Sequence, residues 1–329
     1  MSNIEAEPAE LACGDRPATA DPDRPAVEVL TPREVPLGGP RAMRVRRTLP
    51  QRARSLIGAW CFADHYGPDE IAGAGAMDVA PHPHTGLQTV SWLFAGEIEH
   101  RDSLGSHAMV RPGELNLMTA GRGISHSEVS TRQTTTLHGV QLWVALPAAF
   151  RDAAPFFEHK VPVVGRLGDA EVRTFVGSLA GSGTDATVFS PLVGAQLTAP
   201  AGTTIVVPLD PTFEHGILVD AGDVTVDGTP VPVAHLAYVC PGRSTLEVTV
   251  GERDARLILL GGEPLREQIV MWWNFIGRSH DDIVRSRADW QREVIDGADP
   301  DGRFGHISGY DGSPLPAPEL PTVRLKPRG

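Results

Sequence analysis

Cysteine and long apolar runs are both scarce in this chain of 329 residues. The three cysteines, Cys13, Cys61 and Cys240, are odd in number and widely scattered, so no disulfide framework or CxxC site is visible and a reducing compartment is indicated. No apolar run approaches the roughly 18 residues that a membrane helix requires. The first 25 residues lack the basic start and apolar core of a signal peptide. We therefore expect a soluble cytoplasmic protein with no membrane partner, whose residues 1–25 form a disordered acidic tail.

Positive charge is also in short supply. The chain has 29 Lys and Arg residues against 41 Asp and Glu residues, which gives a formal net charge of -12. Because a negative surface repels phosphate backbones, direct binding to nucleic acid is not expected as the main task. The locally basic segment 41–54 is interpreted as a solvated strand face rather than an anion-binding patch.

Glycine and proline, in contrast, are abundant, with 35 and 29 residues, and they favour many short strands separated by turns. Strand patterns recur every 8 to 12 residues or so, which is typical of a β-sandwich or β-barrel. Similar turn residues, such as Ala95-Gly96 and Ala221-Gly222, suggest an internal duplication. We predict an N-terminal β unit over 26–147, a connector over 148–186, a second β unit over 187–265, and a C-terminal strand, helix and extended tail over 266–329. In the last part, Ser279 is predicted to cap a helix that ends at about Ile295.

Two short motifs carry strong metal-ligand side chains at a spacing of two residues. They are His82-Pro83-His84 and His126-Ser127-Glu128. Residues i and i+2 of a strand project from the same face, so each pair can point at one ion. Three imidazoles and one carboxylate suit Fe(II), and less selectively Mn, Ni, Cu or Zn, with two octahedral positions left open. Six other histidines are interpreted as structural: His100, His107, His138, His159, His235 and His306.

The chain closely resembles the pirin family over residues 28 to 305. The resemblance is carried by the strings CFADHYGP (61–68), PHPHTG (81–86), TAGRGISHSE (119–128) and QLWV (141–144). It implies an all-β fold of two cupin-type antiparallel β-barrels, a bicupin, with a short C-terminal helix. It also implies that iron is held in the N-terminal barrel by His82, His84, His126 and Glu128, the four residues that the spacing argument selects.

Three departures from the family pattern bear on the site. Gln88 stands where an ordinary cupin has a glutamate ligand, so we expect Glu128 to supply the negative charge. The second β unit has Glu214-His215-Gly216 but no His-x-His motif, and we interpret it as a metal-free barrel with a structural His215. The segment 272–278 (WWNFIGR) differs from the commoner pirin sequence, so substrate choice can differ if it lines the pocket mouth.

The resemblance implies quercetin 2,3-dioxygenase activity, in which a flavonol and O₂ react at the metal, the heterocycle opens and CO is released. Glu128 is the candidate general base, because it lies at the metal and is basic. The expected partners are a small aromatic substrate and O₂, and the expected state is a monomer. The alternative is a metal- or redox-sensing regulatory protein that binds a protein partner. Partners captured only in the metal-bound state would favour that alternative.

Overall fold

The computed structural model describes residues 27–37, 43–52, 54–71, 77–299 and 301–329, so the predicted acidic tail lies outside the described residues. Within these ranges the chain forms 26 strands and one α-helix, and most strands belong to two antiparallel β-barrels. This confirms the predicted all-β, two-barrel architecture. In the part of the chain that the structure describes, no helix is both long enough and apolar enough to cross a membrane.

The first barrel contains eleven strands, numbered here in chain order along the whole molecule. They are β2 (Arg33–Leu37), β3 (Met43–Leu49), β4 (Trp60–Glu70), β5 (Asp78–His84), β6 (Leu87–Ala95), β7 (Ile98–Asp102), β8 (His107–Val110), β9 (Leu115–Thr119), β10 (Ile124–Ser130), β11 (Thr136–Ala145) and β12 (Phe156–Lys160). A seven-stranded sheet, ordered β12-β9-β6-β11-β4-β3-β2, faces a four-stranded sheet, ordered β5-β10-β7-β8.

The second barrel repeats this plan. Its strands are β1 (Glu28–Leu30), β13 (Val164–Leu167), β14 (Ala170–Val176), β17 (Leu192–Ala199), β18 (Thr204–Pro208), β19 (Glu214–Ala221), β20 (Val224–Val226), β21 (Thr229–Val231), β22 (Leu236–Val239), β23 (Thr245–Val250) and β24 (Ala255–Gly262). The seven-stranded sheet is ordered β1-β22-β19-β24-β17-β14-β13 and the four-stranded sheet β18-β23-β20-β21. Equal strand numbers and matching orders are what the suggested duplication requires.

The boundaries of the two barrels along the chain differ from the predicted ones. Strand β1, assigned to the N-terminal unit, pairs with β22 of the second barrel. Strand β12, assigned to the connector, pairs with β9 of the first barrel, and β13 and β14 of the same connector belong to the second. The prolines and glycines of 148–186 suggested a linker, whereas they separate short strands. The rest of the predicted domain division stays a prediction.

The two seven-stranded sheets enclose a common apolar core between the barrels. Trp60, Trp92 and Leu142 of the first barrel pack there with Phe175 and Leu260 of the second. The indole Nε1 of Trp92 also donates to Gln196 Oε1 across this core, at 2.9 Å. Burial of each such large apolar side chain contributes about 1.5–3 kcal/mol, so the core joins the barrels firmly. A separate cluster fills the interior of the second barrel.

The C-terminal region forms a small unit of its own against the first barrel. It comprises the hairpin β25 (Val270–Trp272) and β26 (Phe275–Gly277), the helix α1 (His280–Trp290) and one π-helical turn (Gln291–Ile295); a further small ribbon, β15 (Ser178–Leu179) and β16 (Ser182–Gly183), lies elsewhere in the chain. Ser279 caps α1 in a capping box with Asp282, which satisfies two backbone N–H groups at the helix start. The predicted cap and the predicted end near Ile295 are both confirmed.

Candidate metal centre

Two antiparallel strands of the four-stranded sheet bring the His-x-His and His-x-Glu motifs together. Strands β5 and β10 pair so that His126 lies opposite His82, and Ile124 lies opposite His84. The pairing register shifts between His126 and Glu128, a local irregularity of β10. The side chains of all four predicted ligands are completely buried. The structure therefore brings the two pairs together on neighbouring strands, although His84 and His126 are 42 residues apart in the sequence.

The three imidazoles form one compact group. The ligand atoms of His82, His84 and His126 lie within 4.8 Å of one another. Nε2 of His84 is 3.1 Å from Nε2 of His126. Two nitrogens that each lie about 2.1 Å from one ion, at roughly a right angle, are about 3 Å apart. The observed separation thus fits a shared metal ion.

His82 presents a donor atom that has no other use in the protein. Its Nδ1–H donates to the carbonyl oxygen of Ala80, 2.9 Å away, which leaves the lone pair on Nε2. Nε2 is buried and has no hydrogen-bond partner among the described residues. An unpaired buried nitrogen costs free energy unless something binds it, so a metal ion is the natural partner. Burial lowers the pKa of the His82 ring well below its usual value and keeps the ring neutral, and the nearby His100 acts in the same direction.

The other two rings are also neutral. Burial lowers the pKa of His84 and of His126 well below the usual range, and the neighbouring histidines lower both further. The backbone of Asn274 acts in the opposite direction on the pKa of His84. Neutral imidazole is the form that ligates metals, so the surroundings hold the three rings ready for binding.

Glu128 lies at the edge of this group rather than inside it. Its ligand atom clusters with those of His126 and His100, again within 4.8 Å. Ser91 Oγ lies 3.2 Å from Glu128 Oε1 and can donate to it. The four predicted residues thus meet through His126, which belongs to both clusters. The chemistry of the set, three nitrogens and one carboxylate oxygen, suits a divalent transition metal.

His100 was interpreted from the sequence as structural, yet it lies beside the predicted ligands. Its Nδ1 is 3.3 Å from Nδ1 of His126. Strand β7 places His100 opposite Glu128 and Asp102 opposite His126. The sequence carried a signal for this, because His100-Arg101-Asp102 repeats the His-x-acid spacing of His126-Ser127-Glu128 and its buried positions alternate.

A further cluster that sequence reasoning missed joins the two barrels. His65 Nε2 of β4 and His138 Nε2 of β11 each lie 2.6 Å from Asp220 Oδ1 of β19. Arg256 Nε donates to Asp220 Oδ2 at 2.6 Å, and Arg256 Nη2 donates to His138 Nδ1 at 3.2 Å. These separations are those of hydrogen bonds, and Arg256 already neutralises the carboxylate. The cluster is best understood as a buried ion-pair network, so the structural interpretation of His138 stands.

The equivalent positions of the second barrel carry no donors. Glu128 pairs with His100, and the matching pair of β23 and β20 is Val248 and Val226. Following the same register along β23 and β18, the chain replaces His126, His82 and His84 by apolar residues. All of the replacements are buried in the apolar core: Val207, Leu209, Val226, Leu246 and Val248. This supports the interpretation of the second barrel as metal-free.

Glu214 of the second barrel occupies the position of Gln88 in the first, because each lies seven residues before the alanine of the Ala-Gly pair that ends its strand. His215 therefore matches Thr89. Thr89 pairs with Trp143 and Met118, and His215 pairs with Gly261 and Val239 at the matching places. His215 lines a cavity of about 290 Å³. No described histidine, cysteine or carboxylate forms a metal-binding group with it.

The C-terminal region covers the strands that hold the predicted ligands. The backbone N–H of Ile276 donates to the carbonyl of Thr85, next to His84, and Ser125 Oγ donates to the carbonyl of Phe304, next to His126. Further along, Leu315 N–H donates to the carbonyl of Pro81. A cavity of about 180 Å³ lies beside Thr85, but none of the four ligands lines it. The segment 272–278 therefore lies next to the metal centre. The expectation that this segment lines the mouth of a substrate pocket requires such a position.

Comparison with known proteins places both barrels in one family. A family model described as Pirin matches residues 42–144, and one described as Pirin C-terminal cupin domain matches residues 194–296. A Pseudomonas aeruginosa protein named as a candidate quercetin 2,3-dioxygenase is 43% identical over 294 residues, which covers 89% of this chain and 90% of that protein. A Caulobacter vibrioides pirin-like protein is 37% identical and covers 75% of this chain and 88% of its own length.

A solved structure agrees in fold over nearly the whole chain. The crystal structure of a quercetin 2,3-dioxygenase from Acinetobacter baumannii superposes with a TM-score of 0.84 at 38% identity, covering 91% of this chain and 97% of that one.

Proposed function

This chain belongs to the pirin family, and from that premise we propose that it is a metal-dependent dioxygenase of the quercetin 2,3-dioxygenase type. Its substrate is a flavonol or a similar enol, which reacts with O₂. The observation that carries the proposal is the buried set of three neutral imidazoles and one carboxylate on β5 and β10. This donor set leaves coordination positions for a substrate, which a purely structural metal site does not.

His82, His84, His126 and Glu128 are the residues that would hold the ion. Fe(II) is the metal that such a set favours, with Mn, Ni, Cu or Zn as alternatives. When bound, the ion supplies a Lewis acid and a template for the enol oxygen and O₂.

Glu128 is proposed to accept the proton of the substrate hydroxyl. Its carboxylate lies at the border of the imidazole group, and the Ser91 hydroxyl next to Oε1 orients it. A positioned base of this kind contributes about 100-fold to 10,000-fold in rate. Deprotonation leaves the substrate as an enolate, the form that reacts with O₂.

Aromatic side chains form one wall of the centre and keep water away. The Trp143 ring meets the His84 ring edge-on, with ring centroids 5.2 Å apart. Phe62 stacks on Trp143, with the two ring centroids 4.0 Å apart. Exclusion of water strengthens the electrostatic interactions that hold a charged enolate.

The decisive experiment measures metal content and quercetin-dependent O₂ consumption in the same protein samples. We expect turnover to rise in proportion to Fe(II) loading. His82→Ala should lose both metal and turnover. Glu128→Gln removes both a ligand and the proton acceptor, and it should lower turnover about 100-fold or more even when compared with the wild type at equal metal content. His235→Ala is the matched control, since His235 is a partly exposed histidine of the second barrel whose Nδ1–H donates to the carbonyl oxygen of Val233. Absence of turnover in the fully loaded wild-type protein would refute the proposal.

A further inference from the structure

We propose that His100, supported by Asp102, is a positioning residue that fixes the orientation and tautomer of His126. The proposal rests on the metal centre of the proposed function. Nδ1 of His100 accepts the Nδ1–H of His126, so that Nε2 of His126 keeps its lone pair for the metal. His100 itself does not touch the substrate in this proposal.

The distances assign the proton positions. Nδ1 of His126 is 3.3 Å from Nδ1 of His100, while Nε2 of His126 faces Nε2 of His84 at 3.1 Å. A neutral imidazole carries one proton, and a metal at Nε2 forces that proton onto Nδ1. Nδ1 of His100 is then the acceptor, so the proton of His100 must reside on its Nε2.

Asp102 favours the required tautomer of His100. Its Oδ2 lies 3.5 Å from His100 Nε2, a long contact that still places negative charge beside the Nε2–H. The other carboxylate oxygen accepts the backbone N–H groups of Leu104 and Ser106, both at 2.9 Å. The turn after β7 thus holds Asp102 in place. Carboxylate–histidine pairs of this kind commonly orient metal ligands.

The His100 ring is fixed from its other face as well. It stacks on Phe157 of β12, with ring centroids 4.7 Å apart, and it is buried. A ring held by a stacked neighbour and by a cross-strand pairing has little freedom to turn away from His126. The arrangement is therefore built into the strands and does not depend on a mobile loop.

The second barrel supplies an internal comparison. The position that matches His100 is Val226, and the position that matches Asp102 is Gly228. The barrel that has apolar residues at the four ligand positions has also neither member of the His100–Asp102 pair. The pair and the ligands therefore occur together in one barrel and are absent together from the matching positions of the other.

The test measures Co²⁺ binding, because Co²⁺ reports both affinity and ligand geometry through its visible absorption and needs no turnover. His100→Phe keeps a ring that can stack on Phe157 but removes the acceptor, and we expect about 10-fold to 100-fold weaker Co²⁺ binding with an altered spectrum. His100→Gln, whose amide oxygen can accept the same proton, should recover part of the affinity. Asp102→Asn should also weaken Co²⁺ binding, because it removes the negative charge beside His100. Its amide oxygen can still accept the backbone N–H groups of Leu104 and Ser106.

His107→Gln is the matched control, since His107 lies on the adjacent strand β8 and is half-exposed. Wild-type affinity and spectrum in both His100→Phe and Asp102→Asn would overturn the proposal, as would an equal loss in His107→Gln. Failure of wild-type protein to bind Co²⁺ would overturn both this proposal and the proposed metal centre. Normal Co²⁺ behaviour combined with no quercetin turnover by the Fe(II) form would refute the proposed function alone.

Discussion

At the scale of single residues, Gln88 shows why the carboxylate of the centre comes from elsewhere. Its Nε2 donates to Thr119 Oγ1 and to the carbonyl of Thr187, both at 2.8 Å. Both amide hydrogens are therefore used within the protein. The side chain is also neutral, so it cannot offset the charge of a divalent ion. This favours Glu128 as the source of negative charge, as the sequence suggested.

His215 predicts how stability should respond to acid. Burial lowers the pKa of His215 from 6.5 to about 4, although the nearby Asp210 charge opposes this. The unfolded chain therefore binds a proton between pH 6.5 and 4 while the folded protein resists it. The contribution to the free energy of unfolding is present above pH 6.5 and is lost as the pH falls towards 4. It amounts to up to about 3 kcal/mol.

The measurement compares denaturant unfolding of the wild type and His215→Gln at pH 7 and at pH 4.5. Other buried histidines add to the acid sensitivity of both proteins, so the difference between them isolates His215. We expect the variant to lose less stability over this range. An identical loss in the two proteins would show that His215 takes no part.

At the scale of elements, the turn between β5 and β6 is where the C-terminal hairpin meets the metal-bearing strands. Gly86 has a φ of +70°, and a Cβ there would lie 2.3 Å from the carbonyl oxygen of Ile276. The close approach lets Ile276 donate to Thr85 beside His84. The glycine therefore determines how tightly the cover sits over the centre.

Gly86→Ala should lower the free energy of unfolding and displace the cover. Gly105→Ala is the matched control, because Gly105 has a φ of +87° but a Cβ there would meet no atom within 4 Å. The control carries only the backbone cost of about 1–2 kcal/mol, whereas Gly86→Ala adds the clash with Ile276. Denaturant unfolding, together with hydrogen exchange at the Ile276 amide, measures the difference. Equal losses in the free energy of unfolding would mean that the C-terminal hairpin can move away from residue 86 without cost.

At the scale of the whole molecule, the buried network around Asp220 links the barrels electrostatically. Burial alone would raise the pKa of Asp220, but hydrogen bonds from His138 and His65 lower it overall. The carboxylate is therefore ionised. It contacts His65 and His138 from two strands of the first barrel and Arg256 from a strand of its own barrel.

Asp220→Asn should destabilise the protein by about 3 kcal/mol or more, because it leaves Arg256 uncompensated at the interface between the barrels. Asp223→Asn is the control, since its pair with Arg253 is exposed and should matter little. Denaturant unfolding at pH 7 gives both values. A loss no larger than that of the control would contradict a role for the network in joining the barrels.

The protein partner and the monomeric state expected from the sequence stay predictions.

The sequence by itself determined those features that depend on neighbouring residues. The two ligand pairs could be recognised because alternate residues of a strand share a face, and the start of α1 because a capping box lies within four residues. The two-barrel fold was implied by the family resemblance, whose motifs all lie in the first half, and the spacing of turns in both halves agreed with it. Each of these signals is contained in a short stretch of chain.

Only the tertiary structure decided which remote residues meet. His100 lies 26 residues from His126, and His65 lies 155 residues from Asp220. The His-x-Asp spacing marks His100 as a candidate, but no local pattern shows which remote residue either histidine contacts. The same holds for β1, which joins the second barrel, and for the C-terminal cover above His84 and His126. Strand pairing and packing are set by the summed burial and hydrogen bonding of the whole chain. Spacing therefore selected the metal-ligand candidates, whereas their supports, their cover and the junction of the barrels emerged only from the folded molecule.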